Sequence, residues 1–151
     1  MKSLSNAELK AELNKILTYG NNDITIDSES IEILSNNKDL IVMSTAECSG
    51  CDSACEVIKL AIEDLELEKL YINNADSVLL YFKINPNFNL KKLLDAIDIV
   101  HSLVSEETDV IFGTSCDENS SEDYVKVTVF LSYLQKLELA AANNYIEKLG
   151  F

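Results

Sequence analysis

Three of the chain's four cysteines fall in one short run, Cys48-x-x-Cys51-x-x-x-Cys55, and the fourth, Cys116, lies far downstream. Thiolates are the natural ligands of tetrahedral zinc, so these four could in principle close a Cys₄ site. A structural zinc site usually declares itself by a second C-x-x-C or a His pair, and this chain has a single histidine, His101. The expectation is therefore no cofactor, with zinc on Cys48, Cys51, Cys55 and Cys116 kept as the alternative. A second chemistry is redox. Cys48 and Cys51 precede a helix start, where a thiol pKa can fall, but no thioredoxin-like context surrounds them. His101 follows Ile97 by four residues, beside the apolar stripe of its helix, with no nucleophile signature to serve. The carboxylates Glu106-Glu107 and those between Asp117 and Asp123 lack the alternation and central glycine of a calcium loop.

Positioning any of these groups requires a fold, and composition bounds it. A chain of 151 residues fits one domain and can bury about 68–70% of its unfolded surface. Apolar residues make up 47% and charged residues 25%, an ordinary globular balance. The net charge of −14 argues against phosphate backbones and anionic membrane surfaces, which need clustered Lys and Arg. No apolar run approaches the ~18 residues of a membrane span. The start, Met1-Lys-Ser-Leu-Ser-Asn6, lacks the apolar core of a signal peptide. Cytoplasmic localisation and reduced thiols are expected.

In chain order, Ser5 and Glu8 form a capping box for a helix to about Thr18, with Leu9, Leu13, Ile16 and Leu17 on one stripe. Gly20 is a natural left-handed stop. An extended Ile24-Thr25-Ile26 leads to a short helix capped by Asp27 or Ser28. Leu40 to Ser44 reads as an apolar strand. Ser53 and Glu56 form a second capping box, opening a helix with Ala54, Val57, Ile58, Ala61, Ile62 and Leu65 at 3.6-residue spacing. Asp76 to Ile84 is a strand; Asn89 caps a helix bearing Leu90, Leu93, Leu94, Ile97, Val100 and Val104. Asp109 to Thr114 is a strand, Asp117 to Asp123 a solvated hairpin connection, and Tyr124 to Leu131 an alternating strand. Gln135 to Leu149 favours helix. The expected architecture is an α/β two-layer sandwich, with a mixed sheet of about four strands, two main packed helices, and a further helix at each terminus. Boundaries fall at 1–19 for the first helix, 20–133 for the domain and 134–151 for the helical tail.

These segments carry a resemblance. Ile111-Phe-Gly-Thr-Ser-Cys-Asp117, followed by Val125-Lys-Val-Thr-Val-Phe130, resembles the "IIFG…D" strand, acidic hairpin and "RVTVIATG" strand of the carboxy-terminal domain of FtsZ, the bacterial tubulin homologue. Val78 to Ile84 is similar to that family's "GVLINITG" strand, and Asn89 to Ile97 stands where it has "LTLFEVNEAA". Val42 to Gly50 stands at "AMMGIGSASG", and Gly20 to Leu34 at "GLINVDFADVKTVM". The register runs from about Gly20 to Ser132. The resemblance implies the fold above, with Ser5 to Thr18 matching the helix that joins the two FtsZ domains.

Two departures shape the functional expectation. The chain's four glycines, Gly20, Gly50, Gly113 and Gly150, are scattered, whereas a phosphate cradle needs closely spaced ones. Nucleotide binding by this chain alone is not expected, nor is enzymatic activity. In FtsZ filaments an acidic loop enters the neighbour's nucleotide pocket. The matching stretch here keeps Asp27 but places Ser30 at the second acidic position and Glu32 at a usually basic one. A hydroxyl cannot polarise water as a carboxylate does. The resemblance thus implies a partner-binding loop of Gly20, Asn22, Asp23, Thr25, Asp27 and Ser30, degenerate for hydrolysis. Its expected partner is a protein, either FtsZ or a second copy, with filament capping or modulation as the role. A self-associating structural protein and a metal- or redox-responsive protein are the alternatives. The initiating methionine and capped first helix favour a separate gene product.

Overall fold

The computed structural model describes residues 40–133 together with 2–4, 7, 8, 11 and 12. Five strands form one sheet: β1 (Lys2–Leu4), β2 (Leu40–Cys48), β3 (Ser77–Ile84), β4 (Asp109–Cys116) and β5 (Val125–Tyr133). Two helices, α1 (Ser53–Leu67) and α2 (Leu90–Leu103), and a 3₁₀ turn at Ile72–Asn74 connect them. The two-layer sandwich is as expected, with one strand more. β1 pairs antiparallel with β2, Lys2 opposite Met43 and Leu4 opposite Ile41, covering part of an edge that would otherwise present unpaired amides. Ala7, Glu8, Ala11 and Glu12 are helical. The remainder of the expected first helix, the 20–39 segment and the 134–151 tail lie outside the described residues.

Strand order is β1-β2-β5-β3-β4. β3 runs parallel to β4 and antiparallel to β5, and β5 runs antiparallel to β2. The expected hairpin between β4 and β5 is therefore not one. β3 lies between them as an interior strand covered on both faces: seven of its eight residues, all but Lys83, are buried. The acidic connection arches over the carboxyl end of β3. Asp117 N–H donates to the Ile84 carbonyl (2.8 Å), and Asn85 Nδ2 donates to the Ser120 carbonyl (2.7 Å). Lys83 Nζ also lies 3.9 Å from Asp117 Oδ2. The parallel β3–β4 pair needs a crossover, and α2 supplies it.

Alternation along the strands sends Val42, Val78, Leu80, Phe82, Ile84, Val125, Val127, Val129, Leu131 and Tyr133 to one face. There they meet Ala54, Val57, Ile58, Ala61 and Leu65 of α1 and Leu93, Ala96, Ile97 and Val100 of α2 in a single core. Burying each large aliphatic or aromatic side chain contributes about 1.5–3 kcal/mol. Two serines on the opposite face, Ser77 and Ser132, are fully buried and bonded to each other (2.9 Å). Ser44 Oγ, at the α1 side, reaches Asp64 Oδ2 at 2.8 Å.

The two helices start differently. Asn89 caps α2 as expected, its Oδ1 accepting from Lys91 N–H at 3.0 Å. The predicted Ser53 capping box on α1 does not form: Asp52 occupies the N-cap, with no side-chain capping bond. Asn89→Ala is accordingly expected to lower stability by about 1 kcal/mol, measured as a shift of the urea midpoint at constant slope. Asp52→Ala should leave that midpoint almost unmoved.

Candidate functional site

β2, β3 and β4 run in one direction, so their carboxyl ends and the amino ends of α1 and α2 gather at one edge of the sandwich. The register places Cys48 opposite Val125, Val125 opposite Ile84, and Ile84 opposite Cys116, a single row across the sheet. Three strand spacings separate Cys48 from Cys116, about 14 Å. Thiolates sharing a zinc ion lie only about 4 Å apart. The sheet thus holds Cys116 away from the other three cysteines. Among the described residues, no three His, Cys, Asp or Glu side chains gather closely enough to hold a metal ion. Cys48 is half-buried at the end of β2, Cys51 is exposed in the loop, and Cys55 is half-buried in the first turn of α1. Burial raises the Cys55 thiol pKa above its ordinary value, and the carboxylate of Asp95 on α2 adds to this.

At the same edge a small cleft of about 80 Å³ opens between the two helix starts. Gly50, Cys51 and Ser53 form one wall, Phe88, Asn89 and Lys92 a second, and Glu122 and Asp123 the lip. Gly50 adopts φ +118°, a conformation that glycine alone enters readily, and so turns the chain sharply into α1. Lys92 crosses from α2 and donates to the Cys51 carbonyl, with its Nζ 3.5 Å from Cys51 Sγ. Phe88 is nearly closed off, at 6% exposure, and gives the cleft an apolar floor.

Of the sequence-predicted site residues, the structure brings only Cys51 to this cleft. Gly20, Asn22, Asp23, Thr25, Asp27 and Ser30 lie outside the described residues. His101 is exposed in the last turn of α2, a favourable place for a cation beside the helix dipole and far along the helix from the cleft. Lys92, Phe88 and the lip carboxylates were not foreseen. Their convergence depends on strand order, which no local spacing records.

Residues 40–135 match the family model described as the FtsZ family, C-terminal domain. The chain belongs to the FtsZ family. Curated FtsZ relatives include those of Helicobacter pylori strain J99, 27% identical over 117 residues, and Neisseria meningitidis serogroup A, 22% identical over 127 residues. These alignments cover 78% and 83% of this chain but 30% and 32% of the relatives. The chain therefore spans under a third of the length of these FtsZ proteins. Among solved structures, the empty FtsZ dimer of M. jannaschii superposes with a TM-score of 0.67 at 22% identity, covering 79% of this chain and 34% of that one. A four-stranded filament model of TubZ-Bt gives 0.60 at 16% identity, covering 96% and 38%. At those identities the superpositions speak for the fold, and it is the fold of the FtsZ C-terminal domain. Among the described residues no helix is long and apolar enough to cross a membrane.

Proposed function

We propose that this protein works in cell division through protein contacts, as a non-catalytic modulator of FtsZ-type filaments. The observation that carries the reading is the family match across the whole sandwich, from Leu40 to beyond Tyr133. The curated relatives sharing it are cell division proteins. The four glycines of the sequence are isolated from one another, so it holds no glycine-rich cradle for nucleotide phosphates. What such a chain offers a filament is the contacting face of one domain. Its Gly20–Asp27 loop would meet the nucleotide face of a terminal subunit, and Ser30 would leave hydrolysis poorly supported there. A subunit bound in this way would then block further growth.

Sedimentation of a full-length FtsZ with GTP tests this directly. Excess of this protein is expected to reduce pelleted polymer and shorten filaments in electron micrographs. Unchanged polymer mass and length would sink the proposal, as would a chain that associates only with itself.

A further inference from the structure

The carboxyl end of α1 runs against helix electrostatics. Such an end carries partial negative charge and favours cations. α2 conforms, with His101 in its last turn. The last turn of α1 holds no basic residue. It holds Asp64 and Glu66 instead, with Glu63 just before them and Glu68 as the C-cap. Glu63, Glu66 and Glu68 are exposed, and among the described residues their carboxylates have no hydrogen-bond or ion-pair partner. Between Glu56 and Lys69, five acidic residues stand against two lysines, Lys59 and Lys69. A local rule broken without compensation inside the fold points to compensation from outside it.

The same stretch departs from the ordinary a second time, in its apolar residues. Leu60 and Leu67 fall outside the buried face of α1 and are 45% and 82% exposed, and Tyr71, just past the helix, is 45% exposed. A single leucine in water is unremarkable. These two are seven residues apart, so two turns bring them to one side of the helix, about 10.5 Å from each other. Glu56, Glu63 and Asp64 lie three or four residues from one or both leucines and so flank them on the helix surface. The outer face of α1 is thus an apolar stripe framed by carboxylates.

Charge decides what covers it. A second copy of this chain would bring a net charge of −14 to an already acidic face. The chain's own 134–151 segment is no better matched, because Lys136 and Lys148 are offset there by Glu138 and Glu147. Leucines at helical spacing suit the apolar ridge of another helix, and the carboxylate frame calls for Lys or Arg beside that ridge. We propose that the outer face of α1 docks a basic amphipathic helix of another protein. Its apolar ridge lies on Leu60, Leu67 and Tyr71, and its cations meet Glu56, Glu63, Glu66 and Glu68. The proposal stands apart from the filament reading, since it uses neither FtsZ nor the Gly20–Asp27 loop.

The probe is a helical peptide of about eighteen residues, made of Leu, Lys and Ala, with its leucines on one face and lysines on either side of them. Added to the full chain, it should give saturable amide chemical shifts confined to Glu56–Tyr71, with an affinity that falls as salt rises. A peptide of the same composition in scrambled order, and one with Glu in place of Lys, should bind at least about tenfold more weakly. Leu67→Gln should weaken binding about tenfold and leave the thermal midpoint within a degree or two, because that side chain already lies in water. Glu66→Lys should weaken binding by at least as much while raising the midpoint slightly, since it supplies the cation that the helix end lacks. Equal binding of the scrambled peptide, shifts that spread to Asp117–Asp123, or an unchanged affinity in either variant would overturn the proposal. So would a parent chain that sediments as a dimer and becomes a monomer in Leu67→Gln, which would assign the face to a second copy.

Discussion

Phe82→Ala is expected to destabilise the domain by about 3–5 kcal/mol. Phe82 has no exposed surface and sits on the helix-facing side of β3, the strand that holds both β4 and β5. Truncation removes an aromatic ring from a core sealed above by α1 and α2 and below by the sheet, so the cavity cannot collapse without moving an element. Domains of this size have roughly 5–15 kcal/mol in total, so the variant should unfold at a far lower urea concentration or fail to fold. Phe82→Leu keeps most of the volume and should lose less than about half as much. Equal midpoints for Phe82→Ala and the parent chain would mean that β3 is not buried between β5 and β4 in the folded protein.

The second large effect appears with alkali. Tyr133, at the end of β5, is fully buried, and burial pushes its phenol up to about 12 from an ordinary 10.0. Its hydroxyl donates to the Tyr71 carbonyl at 3.1 Å. The fold accommodates the neutral phenol. Below pH 10 the phenol is neutral in both states and its contribution is fully present. Between pH 10 and about 12 the unfolded chain releases the proton first, so stability falls as pH rises through this window, levelling off beyond it. At about 1.4 kcal/mol per pH unit, the loss over the window is on the order of 3 kcal/mol. Tyr124 is likewise pushed up to about 12, by burial and by its bond to Glu47 Oε2 (2.7 Å), but it is part-exposed and should matter less. Urea unfolding of Tyr133→Phe should show a visibly flatter decline between pH 9 and 11.5 than the parent chain. Parallel declines in the two proteins would show that Tyr133 ionises as freely folded as unfolded.

Phe82 belongs to the part of the fold that was legible in the sequence. It stands with Tyr81 in a run, Val78 to Ile84, whose apolar and β-branched character by itself announces a buried strand. Asn89 announces the start of α2 equally well, because an Asx cap acts within three residues of itself. The α1 start shows the limit of that logic. Ser53 and Glu56 have capping-box spacing, but Gly50 turns the chain so that Asp52 becomes the N-cap and Ser53 enters the helix. A one-residue shift, set by the entry path, changed the role of the serine. The hairpin expected between β4 and β5 failed for a similar reason. Its acidic loop has the right composition for a turn, yet pairing is decided by which strand can be buried on both faces, and that is a competition among all the strands. The cysteines are the plainest case. Their spacing in sequence suggested a ligand set, and the sheet puts Cys116 three strands from Cys48 in the same row. The cleft of Ser53, Phe88, Lys92 and Glu122 draws on segments far apart in the chain, so no periodicity points to it.

The place of β5 beside β2 has a consequence for the order in which a growing chain can become ordered. Among the described residues β2 is the first long strand to be made, and its nine-residue ladder is formed with β5, the last of them, with Leu40 facing Tyr133 and Cys48 facing Val125. Until residue 133 has left the ribosome, β2 has, among the described residues, the three of β1 to pair with. The unit from β3 through α2 to β4 can close earlier, because its contacts are nearer in sequence. During synthesis, then, the α1 and β2 surfaces wait exposed while the other half of the sheet assembles. A chain terminated just before Val125 would carry both α1 and α2 and yet leave β2 and β3 with no strand between them.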